Sequence, residues 1–216
     1  MRGWLAPGGR IVIALTSPYI WYTSRISGVI ALVMLTLVIV LGILISTRVG
    51  GRRVGRFEIT EMHRSISLVA MIFVAIHVVT TVIDTYVNIN WISAVVPLTS
   101  SYKRLPVAIG TVAIDLMLAV WLSSLLKERI DPRAWRAIHF SSYASFVAAA
   151  VHSYLVGTDE RSLWGLIVLG SCVAVVLLGG GSFSGTKPTA LAYFDDSVSG
   201  LDIGAPVKFR GVISLR

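Results

Sequence analysis

Four histidines are the residues of this 216-residue chain best suited to chemistry, and their spacing narrows what that chemistry is. His63 and His77 lie 14 residues apart in one apolar stretch, and His139 and His152 lie 13 apart in another. On helices rising about 1.5 Å per residue, these intervals are roughly 21 and 20 Å, so neither pair on one helix can share a metal ion. Two such helices running the same way bring His63 level with His139 and His77 level with His152. Each level then offers two imidazoles from facing helices, which suits the two axial positions of a haem. Zinc is disfavoured, because no Cys, Asp or Glu supplies a third ligand at either level.

The elements that must position these residues are membrane helices. A span takes roughly 20 mostly apolar residues, and five stretches qualify: about 27–46, 61–84, 107–126, 131–155 and 163–178. The fourth opens on Asp131-Pro132, an N-cap and first-turn pair. The fifth is short and ends in Gly179-Gly180-Gly181. Residues 11–22 are apolar but interrupted by Pro18, and Trp4, Tyr19, Trp21 and Tyr22 suit a headgroup-level segment; 87–101, with Trp91 and Pro97, is a second interfacial candidate. The expected organisation is an N-terminal interfacial segment over 1–24, an all-α transmembrane bundle over 25–181 and a short irregular or β-like tail over 182–216.

Orientation follows from Lys and Arg. The linkers around 48–64 and 127–136 carry Arg48, Arg52, Arg53, Arg56, Arg64, Lys127, Arg129, Arg133 and Arg136. The positive-inside rule places these inside, with Arg2, Arg10, Arg25, Lys103, Arg104 and Arg161 opposite. One span separates the two histidine helices, so they run parallel, with His63 and His139 at the inner level and His77 and His152 at the outer. Fourteen residues return to within roughly 40° of the starting face, whereas thirteen miss by roughly 140°. Bending, local overwinding or a different ring approach must therefore absorb a misfit on the fourth span.

Composition supports the membrane reading. Hydrophobic residues make up 55% and charged residues 14%, with a mean hydropathy of +0.80, against about 25% charged in a soluble domain. The net charge of +8 does not point to nucleic acid, because the basic residues sit in short clusters between apolar runs. Cys172, the one cysteine, lies in an apolar run, so there is neither a disulfide framework nor a thiolate metal site. Pro7, Gly8 and Gly9 break the N-terminus before any signal-peptide core begins.

The segments Glu61-Met-His-Arg-Ser to Ala75-Ile-His77 and Trp135-Arg-Ala-Ile-His139 to Val151-His152 resemble the ferric-reductase-like transmembrane haem domain. Its histidines stand 14 and 13 apart on two helices. Trp4-Leu-Ala-Pro-Gly-Gly-Arg and Leu155-Val-Gly-Thr-Asp resemble bacterial members, so the likeness covers about residues 4–162. It implies two bis-histidine b-type haems in the cell (plasma or inner) membrane, carrying electrons to an extracytoplasmic acceptor. Many members continue into flavin and nicotinamide domains. This chain shows no Gly-rich dinucleotide loop after a strand, so its electrons are expected from a separate reductase, which would hold any flavin, or from a membrane quinol.

Other residues admit two readings each. Arg25 and Arg64 are candidates for haem propionates or for snorkelling to headgroups, and Lys103 and Arg104 for the same from the outer loop. Asp115 is a candidate proton relay or helix contact. Phe73, Trp121, Phe140, Tyr143 and Phe146 could lie between the haems, and packing accounts for them equally well. The stretch Tyr193-Phe-Asp-Asp-Ser-Val-Ser-Gly-Leu-Asp-Ile-Gly-Ala-Pro-Val-Lys-Phe-Arg-Gly-Val212 resembles the opening of a mammalian-cell-entry (lipid-transport) domain, in too few residues to close a barrel. The alternatives to an electron-transfer subunit are thus a membrane-anchored lipid-transport component and a helical bundle without a cofactor.

Overall fold

The computed structural model describes residues 18–46, 56–84, 87, 89–157, 162–181, 207–209 and 212–215. The chain divides into two compact units, Met1–Ser184 and Gly185–Arg216. The described residues of the first form an all-α bundle of five helices: α1 (Pro18–Ser46), α2 (Arg56–Ile83), α3 (Arg104–Leu125), α4 (Pro132–Val156) and α5 (Leu163–Gly181). Of the second unit, the described backbone is an antiparallel strand pair, β1 (Val207–Phe209) with β2 (Val212–Leu215), in which Lys208 faces Ile213 and Phe209 faces Val212.

Among the described residues three helices are long and apolar enough to cross a membrane: α1, α2 from Phe57, and α3. In hydrocarbon a helix is favoured because it satisfies every internal N–H and C=O by itself. The apolar part of α5 is shorter, Leu163–Gly179. At 25 residues α4 is long enough, since about 20 suffice, but it is less apolar because it carries Arg133, Arg136, two histidines and four serines. The expected boundary of the N-terminal interfacial segment at residue 24 falls inside a helix. Pro18 opens α1 instead of interrupting a separate segment, as the fixed φ of proline and its missing N–H permit at a first turn; Tyr19, Trp21 and Tyr22 therefore lie on α1, and residues 1–17 fall outside the described set. Between α2 and α3, Trp91–Ala94 form a short 3-10 turn capped by Asn90, whose Oδ1 accepts from Ser93 N. Trp91, Ile92, Val95 and Val96 there are exposed.

Two antiparallel helix pairs make the bundle. Helix α1 lies against α2 and α3 against α4, and α1 also touches α4 and α5. Leu32, Ile39 and Ile43 of α1, Phe146 of α4 and Cys172 of α5 form the buried apolar cluster. Small residues line the tight seams, with Ser24, Ser27 and Ala31 buried on α1 and Ala108, Gly110, Thr111 and Ala113 on α3. That composition lets helix backbones approach closely where lipid removes the ordinary hydrophobic drive. The seam between α2 and α4 is different: those helices do not pack against each other as the two pairs do.

Helix α4 begins where its sequence says it should. Asp131 Oδ1 accepts from Arg133 N at 2.8 Å and from Ala134 N at 3.2 Å, with Pro132 in the first turn. Losing an N-cap aspartate costs about 0.5–2 kcal/mol, so Asp131→Ala is expected to lower the thermal midpoint of the detergent-solubilised protein by a few degrees; an unchanged midpoint would show that the cap is not holding the helix. At the far end of α4, Lys103 Nζ donates to the carbonyls of Leu155 and Val156, at 3.3 Å each, where a cation offsets the negative pole of the helix. Lys103 itself adopts a left-handed backbone (φ 37°) just before α3.

Candidate functional site

Across the loosely packed seam between α2 and α4, the four histidines face one another in two pairs. The ring centroids of His63 and His139 are 6.2 Å apart, and those of His77 and His152 are 6.4 Å apart. Imidazole–metal bonds of about 2.0–2.1 Å, plus roughly 1.15 Å from each ring centroid to its own nitrogen, put two imidazoles on opposite sides of one ion about 6.3–6.5 Å apart. Both pairs have the spacing of two imidazoles with room for one metal ion between them. Among the described residues no group of three or more His, Cys, Asp or Glu is placed to hold a metal, so each level presents two protein donors.

Hydrogen bonds at the back of the rings settle which nitrogen faces the gap. His63 Nδ1 lies 3.0 Å from the Val38 carbonyl, His77 Nδ1 2.7 Å from that of Ser24, and His152 Nδ1 2.8 Å from that of Pro106. A carbonyl oxygen only accepts, so in all three Nδ1 carries the proton and donates it. Neutral imidazole then keeps its lone pair on Nε2, the form a metal ligand needs.

Each of these three rings sits in a notch made by one glycine. Four residues after each carbonyl acceptor stand Gly28, Gly42 and Gly110, and a Cβ there would meet His77, His63 and His152 respectively. The helical registers explain why. Fourteen residues down α2 from His77 to His63 correspond to fourteen up α1 from Ser24 to Val38, and from Gly28 to Gly42. Ser24 Oγ and Thr81 Oγ1, 2.6 Å apart, lock that register near the His77 end. On the other pair, Ser145 Oγ donates to the Ala113 carbonyl at 2.8 Å, seven residues from the His152–Pro106 bond on both helices. Neither the glycines nor the carbonyls stood out as site residues in the sequence, although the 14-residue echo Gly28…Gly42 beside His63…His77 was there to be read.

His139 is seated differently. Among the described residues its buried Nδ1 has no hydrogen-bond partner, and the ring stacks on Trp135 at 4.9 Å between centroids. Lys127 Nζ lies 4.5 Å from the Trp135 ring centroid on the same side of the bundle.

A cavity of about 440 Å³ surrounds the His77–His152 level, lined by α1, α2, α3 and α4 and by the turn before α3. That volume is in the range of sites for drug-sized ligands, about 300–1,000 Å³. Trp21, Arg25, Asp84 and Tyr102 are among its lining residues, with Gly28 and Gly110. Arg25 lies 4.6 Å from the Trp21 ring centroid, so its charge is at the cavity wall. Arg64 is exposed beside His63, and Arg104 Nε is engaged by the Leu98 carbonyl at 2.8 Å. Of the aromatic candidates, Phe146 is buried in the apolar core between the two levels, while Phe140 and Tyr143 are exposed and stack on each other. Arg2, Arg10, Arg48, Arg52, Arg53 and Arg161 lie outside the described residues.

No curated protein and no solved structure matches this chain. One family model does, over residues 19–159, a stretch that contains all four histidines and the three glycine notches and stops before α5 and the tail. On that match the chain belongs to the family described as Domain of unknown function (DUF8596).

Proposed function

We propose that this chain is the multi-pass membrane subunit of an electron-transfer system, holding one b-type haem between His63 and His139 and a second between His77 and His152. The observation that carries this reading is the pair of imidazole gaps, 6.2 and 6.4 Å, with Nδ1 bonded to backbone carbonyl in three of the four rings. The seam between α2 and α4, left open by the packing of α1 on α2 and α3 on α4, supports it by giving a flat group a slot. When bound, haem supplies a reversible one-electron couple whose potential is tuned by its ligands and surroundings.

The remaining work is done by the chain. The carbonyls of Ser24, Val38 and Pro106 hold three Nε2 atoms toward the gap in the ligating tautomer. Arg25 at the cavity wall is placed to take a carboxylate of the cofactor, and Leu32, Val107, Ile114 and Ala149 give the cavity apolar walls from α1, α3 and α4. The basic linkers, by the positive-inside rule, support an inner position for the His63–His139 level in the plasma or inner membrane. That level faces a cytoplasmic reductase or a quinol as donor, and the other level faces an acceptor outside.

The test is optical. Chain purified from membranes grown with ample haem is expected to give a dithionite-reduced b-type spectrum with about two haems per polypeptide. His77→Ala is expected to leave about one. A colourless preparation that is otherwise folded would sink the proposal.

A further inference from the structure

Three of the four histidines are braced by a neighbouring helix, and the exception follows from the 13-residue spacing on α4. His152 and Ser145, seven residues apart, both bond α3 carbonyls, those of Pro106 and Ala113. Seven residues are close to two turns, so the same α3-facing stripe continues to Ile138. His139 sits one residue further on, about 100° around the helix. It reaches toward His63 on α2, 6.2 Å away, but loses the α3 backbone behind it. What stands behind it is Trp135, one turn earlier on its own helix. The Nδ1 of His139 and the Nε1 of Trp135 are both buried without a hydrogen-bond partner among the described residues.

That difference bears on any metal ion between the rings. An Nδ1–H donating to a carbonyl raises the basicity of Nε2, and a more basic ligand stabilises the more positive, oxidised ion. The His77–His152 level has two braced imidazoles and the His63–His139 level has one. Charge acts in the same direction. The Lys127 ammonium near Trp135 disfavours extra positive charge at the first level, whereas Arg25 and Asp84 both line the cavity at the second and oppose each other.

Building on the two-haem reading, we propose that the two levels are redox-unequal: the His63–His139 site has the higher reduction potential, and Trp135 is the positioning residue that keeps it there by denying His139 an acceptor. The first electron to enter the chain then rests on the level beside the basic linkers.

The test is a redox titration of the haem-loaded full chain, followed optically. Two one-electron waves are expected, separated by at least about tenfold in the oxidised-to-reduced ratio, 59 mV for a one-electron couple. His77→Ala is expected to keep the higher wave. Trp135→Gln, which offers an amide oxygen one turn below His139, is expected to move the higher wave down by about that amount and leave the lower one in place; it removes no ligand and so stands even if His77→Ala does not fold. Trp135→Phe, which keeps an aromatic wall, is expected to move neither wave. Coincident waves, retention of the lower wave in His77→Ala, or equal shifts in the Gln and Phe variants would each overturn the inference while leaving the two-haem reading intact. A chain that binds no haem overturns that reading and the inference with it.

Discussion

If the chain holds two haems as proposed, Gly110→Ala is expected to lower haem content from about two to about one per chain, with the surviving haem at the His63–His139 level. A Cβ at position 110 would run into Nδ1 of His152 and stand 2.6 Å from its Cε1 and 2.9 Å from its Cγ. Real Cβ atoms do not approach so closely, so either the ring or the helix must move. The ring has little freedom to yield: its Nδ1 is bonded to Pro106, on the same helix that carries the new methyl. Nor is helix separation free, because it would break the buried Ser145–Ala113 bond and open the Ala108–Ala113 seam. Overpacking of this kind typically costs about 1–3 kcal/mol, and rotating the ring away from the gap removes one of the two imidazoles that face each other at that level.

The other two notches make the expectation graded. At Gly28 a Cβ would lie 2.9 Å from His77 Nδ1 and 3.0 Å from Cε1, so alanine there is expected to weaken the same level without abolishing it. At Gly42 the nearest atom is 3.5 Å away, an ordinary contact, and alanine is expected to leave both haems bound. The measurement is haem per polypeptide by the pyridine method across the three single variants. Equal retention in all three would show that the notches do not seat the rings.

Much of the fold was legible because it is written in composition. Five apolar runs became five helices, and Asp131-Pro132 marked the start of α4. Pro18 misled for a local reason: a proline reads as an interruption unless one knows that the helix begins there, and nothing before it fixes that point. Depth matching of the histidines was also legible, since it needs only their spacing and the direction of two helices. The phase misfit on α4 was not resolvable from one helix. Its resolution lies on α3, whose Pro106 and Ala113 carbonyls define the stripe from which His139 departs. A single sequence gives the angle between two residues on one helix but not which neighbour each should face.

Exchanging Ile138 and His139 tests that account directly, and is expected to abolish binding at the His63–His139 level while sparing the other. The exchange restores a 14-residue interval to His152, so on spacing alone it looks like an improvement. In the bundle it turns the imidazole about 100° onto the α3-facing stripe. For a ring some 5 Å from the helix axis, that rotation displaces it by roughly 8 Å. The shift exceeds the whole 6.2 Å gap between His63 and His139, so no rearrangement of His63 alone restores the pair. Position 138 also has no glycine opposite it: continuing the α3–α4 register from Gly110 and His152 brings Ser124 there, and a side chain would meet the ring. The expected result is one haem per chain with the lower-potential wave remaining. Retention of two haems would mean that α4 can rotate or overwind to follow its histidine, and that the 13-residue interval carries no information about which helix braces the ring.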